Sequence, residues 1–179
     1  MSSSSPRTAS RTAPATGIVA LAAALLLSSA PAAAQGAAET ATYRNARYGF
    51  TLSYPHGQFQ PQEPLAEDGR VWVSRDGNAR ILAGALPNAD NLSLQAYRAF
   101  VLEQSYPGAA VDYAPMRDNW FVVSGTRDGV MFYERVTFTC GGRLINSWAM
   151  LYPAAERRLY DRIVEQVSRS YRAGGANCG

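Results

Sequence analysis

The chain has 179 residues, 47% of them hydrophobic and 17% charged. That composition excludes a disordered chain, and the length excludes two large domains or a polytopic membrane protein. The formal charge of +3 includes Arg7 and Arg11, and no acid precedes Glu39, so beyond residue 34 the charge falls to +1. A nearly neutral domain offers no electrostatic case for a nucleic-acid partner or an anionic membrane surface.

Residues 1–34 show the three parts of a secretory signal peptide. Residues 1–16 are Ser-rich and carry Arg7 and Arg11. Residues 17–27 (GIVALAAALLL) are apolar but shorter than the roughly 20 residues a spanning helix needs. Residues 28–34 (SSAPAAA) end in the small-x-small pattern of a cleavage site, with Gln35 next. No Cys follows that site and the two arginines are not adjacent, so neither a lipoprotein anchor nor a twin-arginine signal is expected. The expectation is a periplasmic or secreted protein with no stable membrane anchor after cleavage. Subtracting residues 1–34 from 179 leaves 145, the size of one domain with its own core.

Residues 35–42 are Ala-rich and read as a flexible arm ahead of one domain over 43–172. Residues 43–45 and 50–54 (FTLSY) read as short strands around Arg47, Tyr48 and Gly49. Residues 55–64 hold three prolines and His56, hence a loop. Residues 70–75 (RVWVSR) alternate as a strand, and 78–86 return from an Asp76-Gly77 pair that signals a type I′ hairpin turn.

Helical spacing then takes over for 92–106. Ser93 is placed as N-cap, with Leu92 and Tyr97 in the hydrophobic-staple positions. Leu94, Tyr97 and Val101 form an apolar stripe with Phe100 at its edge, and Pro107-Gly108 stops the helix. Residues 110–114 read as a short strand.

Residues 119–152 carry most of the information. Strands at 120–126, 130–140 and 143–152 are separated by Asp128-Gly129 and Gly141-Gly142. Two-residue turns there fix the register. One face then collects Phe121, Val123, Phe132, Val136, Phe138, Ile145, Ala149 and Leu151. The other collects Trp120, Val122, Met131, Tyr133, Leu144, Trp148, Met150 and Tyr152. A sheet apolar on both faces needs cover on both. The helix before the meander and a second one after Pro153 supply it, the second presenting Tyr160, Ile163, Val164, Val167 and Tyr171 at helical spacing. The expected fold class is α+β, a central antiparallel sheet of about six strands sandwiched between helices.

Cys140 and Cys178 are the two cysteines. In an oxidising compartment such a pair reads as a disulfide, which would pin a Gly-rich tail over 173–179 that would otherwise fray. Two Cys and one His do not make a metal set, and no dinucleotide, phosphate-loop or zinc-protease motif is present, so no cofactor or metal is expected. No nucleophile elbow occurs either.

Three residues are candidate ligand contacts. Glu134 falls by register among Val123, Phe132, Val136 and Ala149, where an ionised carboxylate is costly and its pKa rises. It reads as a perturbed acid in a pocket, as an acid reaching an Arg under a helix, or as an acid where the strand lies at an exposed part of that face. On the opposite face Arg135 lies across from Trp148, as a cation–π pair.

The segments 48–55 (YGFTLSYP), 68–78 with its Asp-Gly turn, and 150–171 resemble those of the PsbP/Mog1-like superfamily, in its exported bacterial members. The resemblance implies an antiparallel sheet between helices. It also implies a role in binding other proteins, since relatives act in photosynthetic assembly or as partners of a small GTPase. No functional residue of those relatives maps onto this chain. The leading functional reading is an exported non-enzymatic domain that binds a protein or envelope component. The alternatives are a hydrolase with a dispersed site around Glu134, His56 and Asp118, or a secreted inhibitor or immunity-type protein.

Overall fold

A computed structural model describes residues 39–64, 66–175 and 178. The expected leader over 1–34 lies outside the described residues. The elements run β1 (Thr40–Arg44), β2 (Thr51–Pro55), β3 (Phe59–Pro61), β4 (Gly69–Ser74), β5 (Arg80–Pro87), α1 (Leu94–Gln104), β6 (Ala110–Tyr113), β7 (Met116–Arg117), β8 (Trp120–Arg127), β9 (Val130–Thr139), β10 (Leu144–Pro153) and α2 (Arg157–Ser170). β1 and β2 pair as a separate hairpin. The others form an eight-stranded antiparallel sheet in the order β3-β4-β5-β10-β9-β8-β6, with β7 also on β8.

The meander has the register its turns demand. Asp128 and Gly129 both take positive φ, 50° and 78°, the mirror-image turn whose twist matches the flanking strands. Arg127 therefore faces Val130, and Trp120 faces Thr137. Leu144 faces Thr139 across β9 and β10, although residues 140–143 close the ladder as a 3-10 turn rather than a two-residue one. Both faces of the meander are buried as the pattern requires. Phe121, Val123, Phe132, Val136, Phe138 and Ile145 pack with Val101 and Tyr106 on the α1 side. Trp148, Met150 and Tyr152 pack with Ile163 and Val167 of α2, with Leu52 of β2 and with Phe50 just ahead of it on the other. Ser93 caps α1, its Oγ accepting from the Ala96 amide at 3.1 Å.

Several expectations need correction. Thr40, Ala41 and Thr42 are strand rather than arm, because their backbone pairs with β2. The sheet has eight strands rather than about six, the excess being short pieces. β3 pairs over three residues within the Pro-rich stretch; Pro61 is tolerated there because an edge strand needs no inward N–H on its free side. The Asp76-Gly77 turn is not type I′. Only Gly77 of the two has positive φ, and Asp76 instead accepts from the Ser74 hydroxyl at 2.5 Å and the Asn78 amide at 3.1 Å. These bonds build a wider loop between Ser74 and Ala79. Pro153 ends β10, and α2 begins at Arg157 after a 3-10 turn.

The C-terminal end is tied down twice. The Gly174 amide donates to the fully buried Asn146 Oδ1 at 2.8 Å, and its carbonyl accepts from Thr139 Oγ1 at 2.7 Å and Asn146 Nδ2 at 3.3 Å. Cys140 and Cys178 form the expected disulfide, their Cα atoms 5.3 Å apart. It closes a loop of sequence separation 38. By loop-closure entropy, Cys140→Ser should destabilise by about 4 kcal/mol, read as a lower urea midpoint that reductant also produces in the wild type. Asn146→Ala leaves buried backbone groups of Gly174 short of partners and should cost about 2–3 kcal/mol in the same assay.

Candidate functional site

The eleven residues of α1 supply the helical cover on one side of the sheet, and they pack over β8, β9 and the start of β10. Beyond its end, the rest of β10 and all of β4 and β5 carry no helix on that face. What lies there is a cleft of about 810 Å³. Its floor is Val71, Leu82, Ala149 and Leu151, set among the small residues Gly69, Gly84 and Ser147. A Cβ on Gly69 would meet the Ala83 carbonyl oxygen at 2.6 Å, so the close approach of β4 and β5 requires glycine there and keeps the floor low. One wall is Ser105 and Tyr106, just past α1. The other is Gln62, Glu63, Pro64 and Ala66, ahead of β4. That second wall is held by the Gln62 amide donating to the Val71 carbonyl at 2.8 Å and by Arg70 donating to the Gln62 carbonyl at 2.9 Å.

Glu134 lines this cleft. Its Oε2 accepts from the Tyr106 hydroxyl at 2.8 Å. Tyr106 lies flat on Phe132, with ring centroids 3.9 Å apart and planes 14° apart, so its hydroxyl is held in place by stacking. Burial raises the Glu134 carboxyl above its ordinary pKa, and the Tyr106 hydrogen bond, which favours the carboxylate, offsets part of that rise. The Tyr106 phenol is itself pushed up, first by burial and then by the Glu134 charge. Glu134 is half-buried at the edge of the cleft, not under a helix beside an Arg. Among the described residues no ion pair includes it.

The other candidates fall elsewhere. Arg135 follows Glu134 in β9 and therefore points to the α2 side. It stands opposite Trp148 in the ladder, yet its guanidinium lies over the Trp120 ring, 4.8 Å from the centroid. The physical reason is cover. Trp148 is fully buried on the central strand against Tyr133 and Tyr171, while β8 offers a charged group a route to water. With no exposed surface, Trp148 has no access to a ligand. His56 follows β2 on the α2 side, half-exposed and 3.1 Å from Glu39, so Glu134 and His56 do not share a site. Asp118 is exposed, near the α1 N-terminus, whereas the cleft lies past its C-terminus.

Tyr106 is the functional residue that sequence reading passes over. It ends the helical stretch, and nothing in its spacing signals a contact 28 residues away. Among the described residues no group of three or more His, Cys, Asp or Glu could hold a metal, and no helix is long and apolar enough to cross a membrane.

No protein-family model matches the chain, and no curated protein matches it significantly. Solved structures do. The chain is similar to cyanobacterial PsbP (CyanoP) from Synechocystis sp., with TM-score 0.57 and 13% identity, covering 78% of this chain and 95% of that one. It is also similar to the Ran-binding protein Mog1p of Saccharomyces cerevisiae, with TM-score 0.54 and 12% identity, covering 78% and 98%. The fold is therefore PsbP/Mog1-like, α+β, as the resemblance implied.

Because folding raises the Glu134 pKa, the folded state binds that proton more tightly than the unfolded chain does. Its contribution to stability is complete below the ordinary carboxylate range and is lost as pH rises through the folded value. The stability of the wild type should therefore fall relative to Glu134→Gln as pH rises through that window, with a constant difference below it. Urea midpoints across pH measure this, and parallel profiles would contradict it.

Proposed function

We propose that this protein is an exported, non-enzymatic binding domain of the cell envelope, and that its ligand seats in the Glu134 cleft. The cleft carries the reading. A sheet face floored by apolar and small residues is left open between two walls, with one half-buried carboxyl, Glu134, held inside it by the Tyr106 hydroxyl. Such a concave apolar site with a single placed polar group is the usual form of a ligand pocket. The form of residues 1–34 and the Cys140–Cys178 disulfide support an oxidising destination outside the cytosol. The fold supports binding over catalysis only by analogy with Mog1p, which is Ran-binding, and that analogy carries no residue across.

Two measurements test the proposal. Fractionation should recover the protein outside the cytosol, with an N-terminus at Gln35 by mass spectrometry; a full-length chain confined to the cytosol would overturn export. For the cleft, Ser147→Leu places a branched side chain on its floor. The wild type should retain an envelope component, protein or lipid, from extract, and folded Ser147→Leu should retain at least about tenfold less of it. Equal retention would remove the cleft from the proposal.

A further inference from the structure

We propose that the cleft takes a small amphiphilic amine, its ammonium on the Glu134 carboxylate and its apolar part along Leu82, Ala149 and Leu151. This rests on the reading of the cleft as the ligand site and names the chemistry it selects. The volume, about 810 Å³, suits a small molecule, and walls on both sides suit an elongated one. The charge balance gives the sign. Glu63 and Glu134 are the acids of the lining and Arg70 its one cation. Arg70 is engaged away from the floor, donating to the Gln62 carbonyl and lying 5.7 Å from the Tyr43 ring centroid, a residue packed on the α2 side. Arg80 and Arg127 line a smaller hollow of about 250 Å³ that shares Ser105, Tyr106 and Leu151 with the cleft; there Arg127 donates to the Ser105 carbonyl at 3.3 Å and is 3.8 Å from Asp128.

Among the described residues, the Glu134 carboxylate accepts one hydrogen bond, from Tyr106. Its other oxygen has acceptor capacity that water fills in the open cleft and that an apolar tail would displace. A neutral hydroxyl can donate to that carboxylate without balancing its charge. A cationic head group donates and also neutralises the charge, so it adds ion-pair attraction and favours the ionised form that burial disfavours. An anionic head group would meet two carboxylates.

Titration calorimetry of the purified protein with n-octylamine, n-octanol and octanoate separates these. The apolar tail is constant and the head group changes. We expect octylamine to bind at least about tenfold more tightly than octanol, and octanoate more weakly than either. Glu134→Gln should abolish the advantage of octylamine over octanol. Ser147→Leu should weaken all three. Equal binding of octylamine and octanol overturns the proposal, as does an octylamine advantage that survives in Glu134→Gln. If octanol binds the wild type but not Ser147→Leu and octylamine has no advantage, the cleft stands and the amine falls. If none of the three binds and Ser147→Leu loses the envelope component, the outcome is the same. If none binds and Ser147→Leu still retains it, both fall.

Discussion

A meander with apolar side chains on both faces cannot be left half in water. Burying one Phe or Ile side chain is worth about 1.5–3 kcal/mol, and β8, β9 and β10 present more than a dozen such residues over two faces. The chain therefore needs two layers of cover. α2 and the β1–β2 hairpin together supply one, sealing Trp72, Trp148 and Met150 with almost no exposed area. On the other face a helix of eleven residues, about 16 Å long, covers roughly half of an eight-stranded sheet. The uncovered half keeps apolar side chains at Val71, Leu82, Ala149 and Leu151, and the small residues Gly69, Gly84 and Ser147 among them limit the hydrocarbon left open. The cleft is thus a consequence of unequal cover, not a separate device added to the fold.

The point at which cover stops is set by a few residues. Pro107 and Gly108 end the helical stretch, and Gly108 turns the chain with φ 72°. The turn leaves Tyr106 as the last aromatic of the α1 layer, stacked on Phe132. Its ring completes the core on one side and forms the cleft wall on the other, and its hydroxyl reaches Glu134. Packing, the boundary of the site and the placement of the Glu134 carboxyl therefore share a single side chain. A change at Tyr106 would alter all three together, so the cleaner probes of function are Glu134 and Ser147, which act within the site.

Much of this was legible in the chain itself, for a physical reason. Local rules govern the meander: Asp128-Gly129 sets one register, alternation assigns the faces, and Ser93 and Pro107 bound α1. Those signals placed Glu134 and Arg135 on opposite faces, and the structure adds that α1 covers the first and α2 the second. What escaped were relations between distant segments. The β3 pairing, the wall at Gln62–Ala66 and the Tyr106 contact depend on where loops come to rest, and no period records that. The Arg135–Trp148 pair shows the same limit in reverse. Register put them opposite each other correctly, but burial, a property of the layer above, sent the guanidinium to Trp120. The shared fold is likewise carried by layer order and not by residues, which is why 12–13% identity preserves it while transferring no site.

The two sides of the sheet also differ in how firmly they are closed, and that difference bears on binding. On the α2 side the chain end is anchored through Asn146 and Gly174 and then by the Cys140–Cys178 bridge, so opening that layer means breaking buried polar bonds and a covalent link. On the α1 side the cleft walls are a short segment held by backbone bonds at β4 and one stacked ring. Free energy of local opening follows buried contacts and closed loops, and both are concentrated on the α2 side. A ligand can therefore enter and leave over β4, β5 and β10 without disturbing the core that holds Trp148. The carboxyl of Glu134, set at the border between the closed and open halves, is where such a ligand would meet a fixed polar group.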